Sequence, residues 1–342
     1  MAEILTSRKL AIKVVLCLAV LAVLMGLCAL KGTQKISLAN ILKGPGELAG
    51  ETIDYEIFII RLRRVILAAL VGAALACSGV VLQAILRNPL ADPYILGISS
   101  GAGLGVIVAI LSGISWSFWG GSPMAVFAFA GSLLTVWLVW YIGRFTGKSQ
   151  VTSLLLAGVV VNAFFSAVIM FLTSVANSQQ LRATIFWLMG NITEKDWAVL
   201  CMGASGILAG IIGLFTICHR LNVLSFGEDE AKKLGINTDR TKVLTFGFAA
   251  FITAIAVSLS GLIGFVGLII PHGVRLVFGP DHRQLLPLSA ITGSAFLVVA
   301  DTVARTIFGQ EQLPVGVITA IAGGPFFLVL LARYSRKVSW LK

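Results

Sequence analysis

Long apolar runs separated by short polar breaks dominate the chain. A hydrocarbon core about 30 Å thick takes about 20 apolar residues per helix. By that ruler ten segments qualify: 10–30, 57–86, 93–113, 122–142, 151–175, 197–218, 241–260, 262–278, 284–308 and 313–333. Several carry helix-start signals. Asp92-Pro93, Ser122-Pro123 and Leu313-Pro314 place proline at the first helical position, where its missing N–H costs nothing. Thr193 and Asp196 predict a cap ahead of Trp197, a residue type that anchors helices at the membrane interface. Residues 1–342 therefore read as a single all-α polytopic membrane domain of about ten transmembrane helices.

The breaks between the runs differ in kind. Residues 31–56 are polar and contain Gly44-Pro45-Gly46. Within the loop 176–196, the stretch 178–191 places Leu181, Ile185, Leu188 and Met189 at helical spacing, which predicts a short helix lying in the membrane interface. The break at 219–242, HRLNVLSFGEDEAKKLGINTDRTK, concentrates nine charged side chains in 24 positions. Its local grammar is that of a short surface helix. Ser225 and Glu228 have the spacing of a capping box, and Glu228, Asp229 and Glu230 occupy the first turn. Lys232 and Lys233 fall near the other end, and Gly235 can take the left-handed stop. Leu221, Leu224, Ala231 and Leu234 leave a small apolar face. By itself such a stretch is either a solvated connector or a docking element.

Small residues are frequent, with 36 glycines. Gly97, Gly101 and Gly105 form one line on the third span, and Gly261, Gly264 and Gly267 recur every third residue on the eighth; in lipid such lines let helix backbones approach closely. A repeat is also visible. Ser78-Gly79 precedes Pro89 as Ser260-Gly261 precedes Pro271, an S-G-x9-P match that falls on spans of opposite direction. Inverted repeats of this kind, spans 2–5 against 7–10, mark transporters whose path lies between the halves.

Composition sharpens the picture. Hydrophobic residues make up 58% and charged residues 12%, about half the usual charged share of a soluble domain. The net charge of +11 is explained by cytoplasmic loops rather than by nucleic acid, because no aromatic-rich basic patch lies outside the spans. With the N-terminus in the cytoplasm, 17 of the 26 Lys and Arg fall inside, together with both termini and 219–242. Arg8, Lys9 and Lys13 ahead of the first apolar run imitate a signal peptide, but the run is long and lacks a small-x-small site, so an uncleaved span is expected. The five cysteines and three histidines have no ligand spacing and read as small buried hydrophobes and scattered polar groups.

Chemistry within the chain is sparse. No phosphate-cradling G-x-x-x-x-G-K-[ST] is present, and no nucleophile, base or metal set clusters in sequence. Ionisable groups of the kind that couple transport to protons or sodium are nearly missing from the spans; Asp92, Asp301 and Arg305 lie at their predicted ends. Transport powered by a separate chain fits better than a secondary carrier or a membrane enzyme, and it gives 219–242 a task.

At this point several long stretches coincide with one family. Residues 61–103 (RLRRVILAALVGAALACSGVVLQAILRNPLADPYILGISSGAG), LLLAG at 154–158, the 224–237 loop, 261–305 and LPVGVITAIAGGPFF at 313–327 resemble the iron-siderophore, haem and vitamin B12 ABC importer permeases, the FecCD-like type II group. The similarity runs from about residue 55 to the C-terminus. It implies a transmembrane subunit that pairs with a second permease copy, commonly as a homodimer. Two ABC ATPase subunits would dock on the cytoplasmic side and a substrate-binding protein on the outer side. The cargo would be a ferric siderophore, or alternatively cobalamin or haem. No cofactor, catalytic residue or resident metal is implied, and the expected location is the cytoplasmic (inner) membrane of a bacterium or archaeon.

The resemblance also implies roles for residues. The loop after the sixth span forms coupling helices in this family, which corresponds to Leu221, Leu224, Ser225, Glu228, Asp229, Glu230, Leu234 and Gly235. Outer arginines that meet acidic groups of the binding protein correspond to Arg61, Arg64 and Arg305; lipid-phosphate anchoring is the competing reading. This chain has RLRR where many relatives have RLPR, so Arg63 is an additional charge. Gate positions of the vitamin B12 members correspond to Asn88, Leu90, Val151 and Thr152, with apolar Val151 departing from a small hydroxyl residue. Asn88 and Leu90 have an equally plain reading as turn residues before Asp92-Pro93.

Overall fold

The computed structural model describes residues 6–44, 49–114, 121–145, 150–309 and 312–339, with backbone alone at 49–52, 144–145, 150–152 and 330–339. Among these residues lie thirteen α-helices: α1 Ser7–Leu30, α2 Leu38–Lys43, α3 Ala49–Ile85, α4 Ile98–Leu111, α5 Pro123–Phe145, α6 Gln150–Val175, α7 Ser178–Leu188, α8 Trp197–Leu224, α9 Glu228–Lys233, α10 Thr238–Ser260, α11 Val266–Phe278, α12 His282–Thr306 and α13 Val315–Ser339. Seven of them, α1, α3, α5, α6, α8, α10 and α12, are long and apolar enough to cross a bilayer, and the shorter apolar α4, α11 and α13 complete the expected ten.

The helix α3 is the axis of the bundle. It packs along α12, α10, α11 and α8, and its side chains from Val65 to Leu82 are almost all buried. Small residues make this possible. A methyl group added at Gly72 would strike the backbone of Gly293 on α12, and one at Gly79 the backbone of Gly267 on α11. Close backbone approach replaces the hydrophobic drive that lipid does not supply. Ser78 fixes the third neighbour: its hydroxyl donates to the Ala249 carbonyl at 3.0 Å and accepts from Thr253 Oγ1 at 2.8 Å, both on α10. The outer helices α1, α5, α6 and α8 instead present Leu, Val, Ile and Phe outward, the pattern of lipid-facing surface.

The inverted repeat is carried by helix order. Span 2 (α3) packs on span 9 (α12) as span 7 (α10) packs on span 4 (α5), and α4 lies on α5 as α11 lies on α12. The S-G-x9-P match does not fall on equivalent points. Ser78-Gly79 is inside α3, whereas Ser260 ends α10 and Gly261 is its cap at φ 69°.

Three spans start differently from their apolar patterns; the second begins at Ala49 rather than 57, inside the polar break expected at 31–56. The third begins as a 3-10 turn, Pro93–Leu96, capped by Asp92, which accepts from the Tyr94 N–H at 2.9 Å; Gly97 at φ 74° then redirects the chain into α4. The eighth starts at Val266, not 262, because 261–264 is non-helical and Phe265 sits at φ 69°. The Tyr94 hydroxyl holds that segment, accepting from the Ile263 N–H and donating to the Ile263 carbonyl, each at 3.0 Å. Of the second glycine line only Gly267 therefore lies on α11. The first line packs as expected, with Gly101 against Gly131 and Thr135 and Gly105 against the Phe127 carbonyl.

The short helix expected at 178–191 is α7. Asn177 and Gln180 close a reciprocal capping box on it, at 2.9 and 3.0 Å. Asp196 caps α8 by position, but its side chain makes no cap bond. Of the cysteines, Cys28, Cys77 and Cys218 are buried, Cys17 is half-buried and Cys201 is exposed.

Candidate functional site

The loop 219–242 has a rigid base and an open tip. α8 continues to Leu224, so Leu221 and Leu224 are buried against the bundle and cannot belong to an exposed apolar face. That overrun also consumes Ser225. Its hydroxyl donates back to the Leu221 carbonyl at 2.9 Å, and the expected Ser225/Glu228 capping box does not form. Gly227 stands at the cap position instead, and Glu228 turns to Lys242 at the start of α10, at 2.7 Å. The hydrogen bond from Lys242 holds the Glu228 carboxyl below the usual carboxylate range against a smaller push from burial, and the charges of Arg87 and Lys232 add to it. Asp229 and Glu230 are exposed in the first turn of α9 and Lys232 and Lys233 in its last. Gly235, at φ 78°, ends the helix: Gly235 N–H donates to the Lys232 carbonyl and Ile236 N–H to the Ala231 carbonyl, both at 3.0 Å.

Two large apolar side chains flank this charged turn with nothing covering them. Phe226 is 82% exposed and Leu234 70% exposed. Phe226 is absent from the sequence-based set because its neighbours Leu224 and Ser225 read as the apolar face and cap, and only the three-dimensional path of α8 shows which of them faces out.

Three struts connect the loop to the bundle. The first is the Glu228–Lys242 pair. The second is Arg87, whose Nη2 donates to the Leu224 carbonyl at 3.3 Å. Arg87 sits at φ 47° in the turn after α3, a costly conformation for a side chain of its size. This turn carries the gate candidates, so the structure brings Asn88 and Leu90 beside the base of the 219–242 loop. Asn88 also has the expected turn chemistry, its side-chain oxygen accepting from the Leu90 N–H at 2.9 Å. Val151 and Thr152 lie on α6, but their side chains are outside the described residues. The third strut joins Asn222 to Asp281 and His282 at the start of α12.

The three candidate arginines gather at the opposite end. Arg64 forks onto Asp301 of α12, with Nε at 3.0 and 3.1 Å from the two carboxylate oxygens and Nη2 at 2.9 Å from Oδ1. Its Nη1 donates to Gln312 Oε1 at 2.7 Å. Arg305 approaches the same carboxylate at 3.5 Å and donates to the Cys28 carbonyl at 2.5 Å. Arg61 donates to the carbonyls of Leu30 and Gln34 at 3.1 and 2.7 Å and has no carboxylate partner among the described residues. All three arginine residues are buried rather than splayed into solvent. They nonetheless line a cavity of about 180 Å³ together with Gln34, Ile57 and Gln312. Among the described residues, one carboxylate stands against three guanidinium groups on this wall. Arg63 points elsewhere, 3.8 Å from both Glu194 and Asp196 in the loop before α8.

The two ends are consistent with one another. Lys13, near the start of α1, donates to Gln284 beside the third strut, whereas Leu30 at its end receives Arg61. Elements that the charge distribution assigns to one side of the membrane thus cluster at one end of the bundle.

Comparison with known proteins agrees with this architecture. The profile of the FecCD transport family matches residues 18–333. This chain belongs to the FecCD family. It is 47% identical over 281 residues to a cobalamin import system permease protein of Halobacterium salinarum, covering 82% of this chain and 74% of that one. It is 42% identical to a hemin transport system permease protein of Yersinia pestis, covering 80% and 82%. A solved inward-facing structure of a metal-chelate type ABC transporter superposes with a TM-score of 0.82 at 31% identity, covering 95% of this chain and 99% of the other. Family membership makes the chain a multi-pass permease subunit of a FecCD-type ABC importer and implies ATPase and binding-protein partners.

Proposed function

We propose that this permease carries a ferric siderophore across the cytoplasmic (inner) membrane of a bacterium or archaeon, with both termini and 219–242 in the cytoplasm. Two copies would enclose the path, and ATP would be hydrolysed on two partner subunits docked against Phe226, Leu234 and the acidic turn between them. The observation that carries this reading is that exposed pair. Large uncovered apolar side chains on a water-facing loop mark a binding surface, and Phe226 and Leu234 lie on either side of Glu228, Asp229 and Glu230. Leu221 and Leu224 act as its buried root, with exposed Ser225 ending α8 and Gly235 ending α9. Arg87 gives the docked loop a path to Asn88 and Leu90, which with Val151 and Thr152 form the cytoplasmic gate.

At the other end the arginine cavity receives an acidic side chain of the substrate-binding protein. Arg61 is the group best placed to meet it, because among the described residues it bonds carbonyls, while Arg64 and Arg305 share Asp301. A second reading of the cargo, cobalamin or haem, is favoured by the named relatives. Proteoliposomes containing the permease, its ATPase and its binding protein separate these readings. ATP-dependent uptake of a ferric siderophore, with no response to a proton gradient, is expected. Uptake of corrinoid or haem alone would replace the cargo assignment, and uptake without the ATPase would overturn the mechanism.

A further inference from the structure

The third strut has a geometry that the coupling reading does not yet use. Asn222 lies one turn before the exposed tip, on α8. Its Oδ1 accepts from the His282 N–H at 2.8 Å and lies 2.7 Å from His282 Nδ1; its Nδ2 donates to Asp281 Oδ1 at 2.7 Å. The amide orientation is fixed by its neighbours. A flipped amide would set an oxygen against the Asp281 carboxylate and an NH2 against the His282 N–H, two repulsive contacts in place of two bonds. With Oδ1 able only to accept, His282 carries its ring proton on Nδ1. Cys218, one turn earlier on the same face of α8, adds a weaker contact from its thiol to the His282 carbonyl at 3.4 Å. Asp281 in turn caps α12 by accepting from the Arg283 N–H at 2.9 Å and pairs with the Arg283 side chain at 2.7 Å.

The last turn of α8 and the first turn of α12 are therefore one hydrogen-bonded body. α12 is gripped again at its far end, where Asp301 meets Arg64 of α3. Twenty helical residues separate Asp281 from Asp301, a span of about 30 Å. By contrast, Arg87 offers a single bond of 3.3 Å to the loop.

We propose that Asn222 is a positioning residue that locks the coupling loop to α12, so that displacement of the loop by the ATPase is delivered along α12 to the arginine end. The inference rests on the coupling reading above. Asn222 is half-buried one turn before the exposed tip and bonded to the start of α12, so it decides whether movement of the tip reaches the second half of the bundle.

The test is an exchange of partners in the complete reconstituted importer, reading cargo delivered per ATP hydrolysed. Asn222→Asp sets two carboxylates face to face and breaks the lock. Cargo per ATP should fall about tenfold, as expected for loss of one charge-assisted hydrogen bond, with the ATPase still bound and hydrolysing. Adding Asp281→Asn restores a carboxylate–amide pair in the opposite order. The carboxylate then on α8 would accept from His282 and from the new amide, whose nitrogen takes the place of the Asp281 Oδ1 that also caps α12, so the cap is lost while the lock is remade. The double variant should recover part of the lost stoichiometry, the α12 cap and the Arg283 pair being given up. An unchanged ratio in Asn222→Asp overturns the proposal. So does a loss that the double variant fails to recover, since that marks a purely structural role. Failure of the underlying coupling reading looks different: replacing Glu228, Asp229 and Glu230 together would then leave uptake unaltered.

Discussion

Glu228 and Lys242 meet at 2.7 Å and close the charged loop on itself, joining the first residue of α9 to the first turn of α10. The pair is partly exposed, so it contributes at most about 1 kcal/mol. Its sign with pH follows from the lowered Glu228 carboxyl. That contribution is present above the ordinary glutamate value of about 4.3 and is lost as pH falls through the folded-state value. Lys242→Met should lower the thermal midpoint of the purified protein at pH 7, with the difference vanishing at about pH 3. A difference that persists in acid would show that Lys242 acts by packing.

The Arg64–Asp301 fork is a buried charge pair with a second arginine attached. Removing the carboxylate leaves two guanidinium groups in a low-dielectric site, which costs about 3–5 kcal/mol. Asp301→Asn should therefore unfold the arginine end or prevent insertion. Asp301→Leu combined with Arg64→Met should recover part of the stability, because it removes one of the two stranded charges and leaves Arg305 bonded to the Cys28 carbonyl. Thermal melts of the three proteins check this; equal loss in the single and double variants would contradict it.

Glycine contacts yield a paired prediction. Gly79→Ala drives a methyl group into the Gly267 backbone, where nothing can move aside, whereas a methyl at Gly264 meets nothing within 4 Å. Overpacking of this kind costs about 1–3 kcal/mol. Melting should separate the two variants, with Gly264→Ala close to the parent protein. Equal midpoints would show that α3 and α11 can part without cost.

Much of the architecture was legible because bilayer thickness is a strict ruler and apolar runs of the right length leave few options. Helix α7 was legible from four apolar positions at helical spacing. Local signals failed where a distant group decided the outcome. Ser225 and Glu228 have capping-box spacing, but α8 overruns to Leu224 and Lys242 captures Glu228. The start of α11 is set by the Tyr94 hydroxyl, 169 residues away from Ile263. Asn222 and Asp281, 59 residues apart, and Arg64 and Asp301, 237 apart, have no sequence signature as pairs. The three arginines gather at one cavity, but their burial has no signature in the sequence, because Asp301 on its own reads as a residue at a span end.

The cationic cavity makes the docking reading measurable. Burial pushes the Asp281 carboxyl up, but bonds from Arg283 and Asn222 outweigh it and hold it at about 2, so Asp281 keeps its charge throughout the physiological range. Salt sensitivity in binding-protein association should then come from the arginine end. Arg61→Glu should weaken association and flatten its dependence on ionic strength. Unchanged affinity would return Arg61 to an internal clamp on the Leu30 and Gln34 carbonyls.

The central claim, that force enters through the exposed tip of 219–242, is tested most directly at Phe226 and Leu234. Replacing both with serine removes the uncovered apolar pair while leaving the Glu228–Lys242 and Asn222–Asp281 struts in place. In proteoliposomes loaded with ATP, the account predicts that the ATPase no longer co-purifies with the permease and that cargo uptake drops to background, with membrane insertion unaffected. Uptake at the parental rate with the ATPase still bound would contradict it.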